Sequence, residues 1–180
     1  YTREIMDCLS DNHSAHEVVF IKSTQVGATE IGLNWIGYTI DMTPCPMLAV
    51  LPTVDVGGRW SKQRLAPMIA DSPRLSAKVA PARSRDSGNT TGMKEFDGGI
   101  LINTGANSAA GLSSMPMKKI LFDEIDRYPV EIEDEGDPMD IAEARTTTFP
   151  RYKMFKCSSP TIESLSRINK AWKRSDQRRY

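Results

Sequence analysis

The sequence predicts an α/β fold of three layers, with a mainly parallel sheet covered by helices on both faces. Two observations carry that expectation. Short apolar runs rich in β-branched residues alternate with helical or turn-rich segments, which is the pattern that builds a parallel sheet with crossover helices. Each run is also short and nearly all apolar, as a strand buried on both faces has to be.

Taken in order, strands are expected at Val18 to Lys22, Met47 to Leu51, Gly99 to Asn103, Lys119 to Phe122 and Lys153 to Cys157. A helix from Ala28 to Met42 follows the first strand and sets Ile31, Trp35, Ile36, Tyr38 and Ile40 on one broad side, a core-facing stripe. Pro44 and Pro46 bracket the turn into the second strand and Pro52 closes it, because proline cannot continue a central ladder. Further helices are expected at Asp55 to Asp71 and Ser164 to Ser175. The stretch Ala80 to Gly92, with Pro81, Gly88 and repeated Ser, Thr and Asn, reads as an exposed excursion.

At 180 residues, with 39% hydrophobic and 26% charged, the chain matches a single soluble globular domain over 1–180. No apolar run is long enough to span a bilayer and no secretory signal opens the chain, so a cytosolic protein without membrane contact is expected. Three cysteines (Cys8, Cys45, Cys157) without CxxC spacing suggest reduced thiols, and His13 and His16 lie in a polar loop, so neither a disulfide framework nor a zinc site is indicated. The net charge of zero argues against bulk attraction to nucleic acid. Charge is nevertheless uneven: Glu131 to Asp140 is acidic, while Lys170, Lys173, Arg174, Arg178 and Arg179 form a basic end that either lies near phosphates or is a solvated helix face. The chain starts at Tyr1 without a methionine, so a piece of a longer chain is expected.

Lys22-Ser23-Thr24-Gln25-Val26-Gly27-Ala28-Thr29 stands where a buried strand runs into a helix. A phosphate loop needs that position, because backbone N–H groups and the dipole at a helix N-terminus favour an anion, and a first-turn hydroxyl such as Thr29 can ligate Mg2+. Against the pattern GxxxxGK[ST], Lys22 replaces the first glycine and Ala28 the lysine. The four-carbon stem of Lys22 still lets its ammonium reach β- and γ-phosphates from the other side of the cradle. Taken alone, the segment is equally a plain strand–turn–helix junction.

Ile120-Leu121-Phe122-Asp123-Glu124-Ile125-Asp126 is an apolar strand ending in paired carboxylates, a Walker B pattern. Ligands of doubly wound sheets bind at the carboxyl ends of strands, so the pair should sit beside the phosphate loop. Asp123 is suited to hold Mg2+, and Glu124 to polarise a water toward the γ-phosphate of ATP. Lys156-Cys157-Ser158-Ser159-Pro160-Thr161 places hydroxyls at the end of the next strand, where they can sense a γ-phosphate or simply form a Ser/Pro turn. Together these motifs predict a P-loop NTPase of RecA-like, ASCE type.

KSTQVGAT, LFDEID and CSSPT, together with LPT at Leu51 to Thr53, resemble the ATPase domain of lambda-type (GpA family) bacteriophage terminase large subunits over nearly the whole chain. In that family the loop lysine stands at the beginning of the loop, as Lys22 does. The resemblance implies phosphate contact by Lys22, Mg2+ held by Thr29 and Asp123, catalysis by Glu124, and coupling of hydrolysis to DNA movement by Cys157, Ser158 and Ser159. It further implies an aromatic residue packed on adenine, assigned to Tyr1 or a residue upstream. Arg59 and Arg64 are candidates for an arginine finger, as are Arg145 and Arg151.

The implied partners are double-stranded DNA, the terminase small subunit, the portal of the capsid and further copies of the chain in a ring, in the cytoplasm of a bacterial host. The family's nuclease belongs to a C-terminal domain whose clustered carboxylates are not recognisable here, so weak ATP hydrolysis without DNA cleavage is expected. A helicase-like RecA NTPase and a catalytically inactive P-loop scaffold are the alternatives. The loop from Gly105 to Ser114 is either a moving element near nucleotide or DNA, or a flexible connection.

Overall fold

The computed structural model describes residues 2–79 and 89–179. In chain order the elements are α1 (Thr2–Leu9), β1 (Glu17–Ile21), α2 (Ala28–Met42), β2 (Pro46–Leu51) and α3 (Val54–Trp60), which continues through a π-helical turn (Ser61–Leu65) into α4 (Ala66–Asp71). Then come α5 (Pro73–Ser76), β3 (Met93–Phe96), β4 (Gly99–Gly105), α6 (Ala109–Leu112), β5 (Lys119–Asp123), α7 (Pro138–Glu143), β6 (Lys153–Ser158) and α8 (Arg167–Arg174). The six strands form one sheet in the order β1-β6-β5-β2-β4-β3, parallel throughout except for the edge strand β3.

The three layers follow from the two-residue period of each strand. Met47, Ala49 and Leu51 of β2 join Leu101, Leu121 and Phe155 in a core that includes Ile31, Trp35, Ile36 and Ile40 of α2. Leu48 and Val50 point the other way, into a second core with Ile120, Phe122, Met154, Ala109 and Leu112 of α6, and Ile168 of α8. Strands buried on both faces are therefore apolar at most positions, which is why the sequence displays them as nearly continuous runs. The two cores together are the sandwich the sequence predicts.

The expected element at Ala28 to Met42 matches α2 residue for residue. The five expected strands are present, but β4 runs on to Gly105, β5 to Asp123 and β6 to Ser158, so each ends nearer the chemistry than expected. The helix expected over Asp55 to Asp71 exists with a π-helical turn inside it, and Thr53 caps its start by accepting from the Val56 amide at 3.2 Å. The helix expected from Ser164 begins at Arg167, because Ser166 is its N-cap and accepts from the Asn169 amide. The connection from Gly105 to Ser114 carries a helical turn: Gly105 ends β4, and Ser108 caps α6. A Cβ on Gly105 would stand 2.1 Å from the Val54 amide nitrogen, so only glycine lets this strand end pass the start of α3. Most of the excursion expected at Ala80 to Gly92 lies outside the described residues.

Candidate active site

Register brings the three motifs together. Ile21 pairs with Ser158 and Cys157 with Asp123, so β6 lies between the strand that enters the phosphate loop and the strand that ends in the acidic pair. The Lys22 amide continues this alignment by donating to the Ser158 carbonyl at 3.1 Å. One additional strand between the phosphate-loop strand and the acidic strand is the ASCE arrangement. With strands roughly 4.8 Å apart, it spaces Lys22, Cys157 and Asp123 across one edge.

The loop is shaped by its backbone. Gln25 and Gly27 both adopt positive φ, 61° and 84°, and Gly27 has left-handed geometry immediately before α2. Two left-handed residues in so short a segment fold it back over the helix N-terminus, where the amides of the first turn carry partial positive charge. Nothing lies within 4 Å of a Cβ built on Gly27, so its glycine is required by φ alone. Ser23, Thr24 and Gln25 are exposed around it, with Val26 half-buried.

Lys22 and Asp123 are buried, at 8% and 7% exposure, although both are charged types that stay outside unless partnered. Each has a partner. Lys22 Nζ pairs with Glu124 Oε1, and Thr29 Oγ1 lies 3.4 Å from Asp123 Oδ2. Cys157 Sγ donates to Asp123 Oδ1 at 3.2 Å. Burial is the largest influence on Asp123 and raises its carboxyl above the usual value; the Glu124 charge adds to the rise while Cys157, Lys22 and Thr29 oppose it. Burial and the neighbouring Asp123 also hold the Cys157 thiol well above its ordinary value, so it stays protonated as a hydrogen-bond donor.

Glu124 stands at φ 57°, ψ 49°, left-handed for a residue with a Cβ, at a cost of about 1–3 kcal/mol. That turn swings its side chain off the strand line toward Lys22. Its Oε2 is buried and accepts no hydrogen bond, with Arg127 Nε at 3.8 Å. A carboxylate oxygen left in that condition is one fit to receive a proton donor such as water.

The same donors fit Mg2+ shared with a phosphate. A hydroxyl and a carboxylate within 3.4 Å offer hard oxygen ligands, and Mg2+ is commonly held by one or two protein oxygens plus substrate phosphates. Among the described residues no group of three or more His, Cys, Asp and Glu side chains is arranged to hold a metal alone.

Other expected residues fall in different places. Ser158 is buried and donates to the Ser159 carbonyl, while also accepting from the Asp126 amide. Arg64 pairs with Glu30, beside Thr29 on α2, at 2.5 Å. Arg59 is exposed on α3 beside Val54, Asp55, Gly58 and Lys62 in an open groove of about 560 Å³, and has no ion-pair partner among the described residues. Arg145 donates to the Ser113 carbonyl, and Arg151 lies in a groove at the opposite, amino-terminal ends of β1 and β6. Tyr1 lies outside the described residues. Sequence reasoning missed Arg127 and Asp126 beside Glu124; the third acid of the DEID run was the available signal.

A family model described as "Phage terminase large subunit gpA, ATPase domain" matches residues 1–180. The chain is 28% identical over 171 residues to the terminase large subunit of Enterobacteria phage P21, covering 93% of this chain and 26% of that protein. It therefore spans about a quarter of that relative's length. Its fold is similar to the crystal structure of the HK97 bacteriophage large terminase, with a TM-score of 0.68 at 10% identity over 87% of this chain and 32% of that one. It is similar also to the large terminase from a thermophilic bacteriophage in complex with ADP, with a TM-score of 0.59 at 14% identity over 88% of this chain and 38% of that one.

Proposed function

The chain belongs to the family of phage terminase large subunit gpA ATPase domains, and from that premise we propose that it uses Mg2+ and ATP to drive double-stranded DNA into a procapsid. The observation that carries the site assignment is the meeting of Lys22, at the carboxyl end of β1, and Thr29, in the first turn of α2, with Asp123 and Glu124, at the carboxyl end of β5.

In this reading Lys22 and the amides of 23–29 hold the phosphates of ATP, and Thr29 and Asp123 hold Mg2+. Mg2+ held by these two residues would supply charge neutralisation at the phosphates. Glu124 orients a water in line with the γ-phosphate and takes its proton, which requires Lys22 to shift from the carboxylate to the phosphate. Cys157 fixes the Asp123 carboxylate, leaving its other oxygen facing Thr29. Cys157 and Ser158 end the strand between the two halves of the site and Ser159 follows it directly, which supports a coupling role.

The proposed partners are the terminase small subunit, the capsid portal and further copies of this chain in a ring, in the cytoplasm of an infected bacterium. Among the described residues no helix is long and apolar enough to cross a membrane. No DNA cleavage is proposed for residues 1–180.

The test is nucleotide binding and turnover by wild type, Lys22→Ala and Glu124→Gln. Wild type is expected to bind Mg-ATP and turn it over, Lys22→Ala to lose binding, and Glu124→Gln to bind normally with turnover reduced by about 10²–10⁴-fold. Glu124→Gln hydrolysing at the wild-type rate would remove the catalytic carboxylate from the scheme. Wild type with no affinity for ATP would leave the inactive scaffold as the better reading.

A further inference from the structure

Asp126 stands two residues beyond Glu124, in the 3₁₀ turn Ile125–Arg127 that ends the acidic motif. Both its carboxylate oxygens are engaged by groups outside the phosphate loop, and it joins three elements. Its amide donates to Ser158 Oγ at 3.2 Å, at the end of β6. Its Oδ2 accepts from the Thr161 amide at 2.9 Å and the Thr161 hydroxyl at 3.1 Å, in the loop that follows β6. Its Oδ1 accepts from the Ile168 amide at 2.8 Å, in the first turn of α8.

A carboxylate accepting backbone N–H groups at a helix start is a strong, charge-assisted attachment. Burial alone would raise the Asp126 carboxyl, but hydrogen bonds from Ile168, Ser166 and Thr161 outweigh it and hold the group below the usual range.

A second attachment points the same way. Arg167, the first residue of α8, donates to the carbonyls of Tyr128 and Pro129 at 2.9 and 2.7 Å and to Asp137 Oδ2 at 2.9 Å. The segment that leaves Glu124 is thus fastened to the start of α8 on both sides. That helix carries the exposed cations Lys170, Lys173 and Arg174, and the chain continues to exposed Arg178 and Arg179. Glu124 is held in left-handed geometry, so a change in what its side chain engages strains the turn that Asp126 anchors.

We propose that Asp126 is the positioning residue that couples the catalytic carboxylate to helix α8, so that the nucleotide state at Glu124 sets the placement of the basic helix. The inference rests on the ATPase reading above and goes beyond it by naming the route from the site to a cationic surface. Asn at this position is isosteric, but it offers one acceptor oxygen and sets an NH2 group against a donor, leaving the Thr161 or the Ile168 amide without its acceptor.

The experiment is amide hydrogen exchange at Thr161 and Ile168 in the full-length protein, with Mg-ADP and with a nonhydrolysable ATP analogue, alongside ATP turnover with and without double-stranded DNA. In wild type the exchange at these amides should differ between the two nucleotides by about fivefold or more, the factor of one ordinary hydrogen bond. Asp126→Asn should abolish that difference and the stimulation by DNA, while the KM for ATP stays within about twofold of wild type. Thr161→Val, which removes only the hydroxyl donor, should reduce both in the same direction. A folded Asp126→Asn protein that keeps the nucleotide-dependent exchange and DNA stimulation would overturn the proposal. Should Asp126→Asn fail to fold, wild-type behaviour of Thr161→Val overturns it. ATP turnover in wild type with identical exchange in both nucleotides also removes the coupling while leaving the ATPase intact, whereas absence of turnover in wild type removes the ATPase reading and the coupling with it.

Discussion

Thr29 owes its place to the backbone around it: left-handed Gly27 starts α2 so that the first-turn hydroxyl comes within 3.4 Å of Asp123. Valine has nearly the same shape without the hydroxyl, so Thr29→Val should leave the helix and ATP affinity intact. It should raise the Mg2+ concentration for half-maximal turnover about tenfold, the low end of losses at metal-supporting positions. A Mg2+ titration of ATPase activity reads this directly, and an unchanged requirement would take Thr29 out of the metal site. Lys22, Thr29, Asp123 and Glu124 were legible in the sequence because each is a chemical type standing at a strand or helix end, and such ends converge in a parallel sheet. Asp126 was less legible. Its value lies in donors from 161 and 168, and nothing in the residues beside it says that those amides face it.

At the scale of elements, the buried strands were readable and the polar ones were not. β3 carries Lys94 and Glu95 in a four-residue antiparallel strand, so it lacks the apolar run that betrays β2 or β5. Helices α1 and α7, at eight and six residues, are too short for a helical period to stand out in the sequence. Lysine misleads in the other direction, since Lys119 and Lys156 are fully buried in the sheet. Lys156 lies between Glu17 and Glu143, and Lys119 reaches Asp11 at 2.7 Å and Thr43 Oγ1 at 2.7 Å, with Tyr38 beneath its ammonium. These pairs fasten the loop after α1 to the base of β5. Asp11→Asn strands a buried ammonium that two threonines only partly satisfy, so it should cost about 2–3 kcal/mol at pH 7, roughly 6 °C in Tm for a chain of this size. Burial raises the Asp11 carboxyl, but hydrogen bonds and charge from Lys119 and Lys118 prevail and leave it below its usual 3.8. A depressed carboxyl contributes its full stability above that usual value and loses it as pH falls through the folded one. The Tm difference between wild type and Asp11→Asn should therefore be constant from pH 7 to about 5 and shrink below 4. A gap that widens in acid would contradict the assignment.

For the whole molecule, the question is whether one copy completes its own site. The charge opposite the γ-phosphate in this class of chemistry is commonly met by an arginine, and when supplied in trans it is worth about 10³–10⁵ in turnover. The structure separates the candidates. Arg64 is engaged by Glu30 and Arg145 by the Ser113 carbonyl, while Arg151 lies at the other end of the strands. Arg59 is exposed on α3, which starts at the carboxyl end of β2, next to Lys62 and free of ion pairs among the described residues. Of the four candidate arginines, Arg59 is the one whose guanidinium is left available to a neighbouring copy. If Arg59 acts in trans, Arg59→Ala and Glu124→Gln proteins should each be nearly inactive alone, yet a mixture should regain activity, because each supplies what the other lacks at a shared site. Random pairing of equal amounts puts an intact Glu124 against an intact Arg59 at about a quarter of the interfaces, so recovery should approach that fraction and grow with protein concentration. Mixing Arg59→Ala with a protein carrying both substitutions should recover nothing. Full activity of Arg59→Ala alone, or no recovery in the first mixture despite association of the two proteins, would move the trans-acting role away from α3.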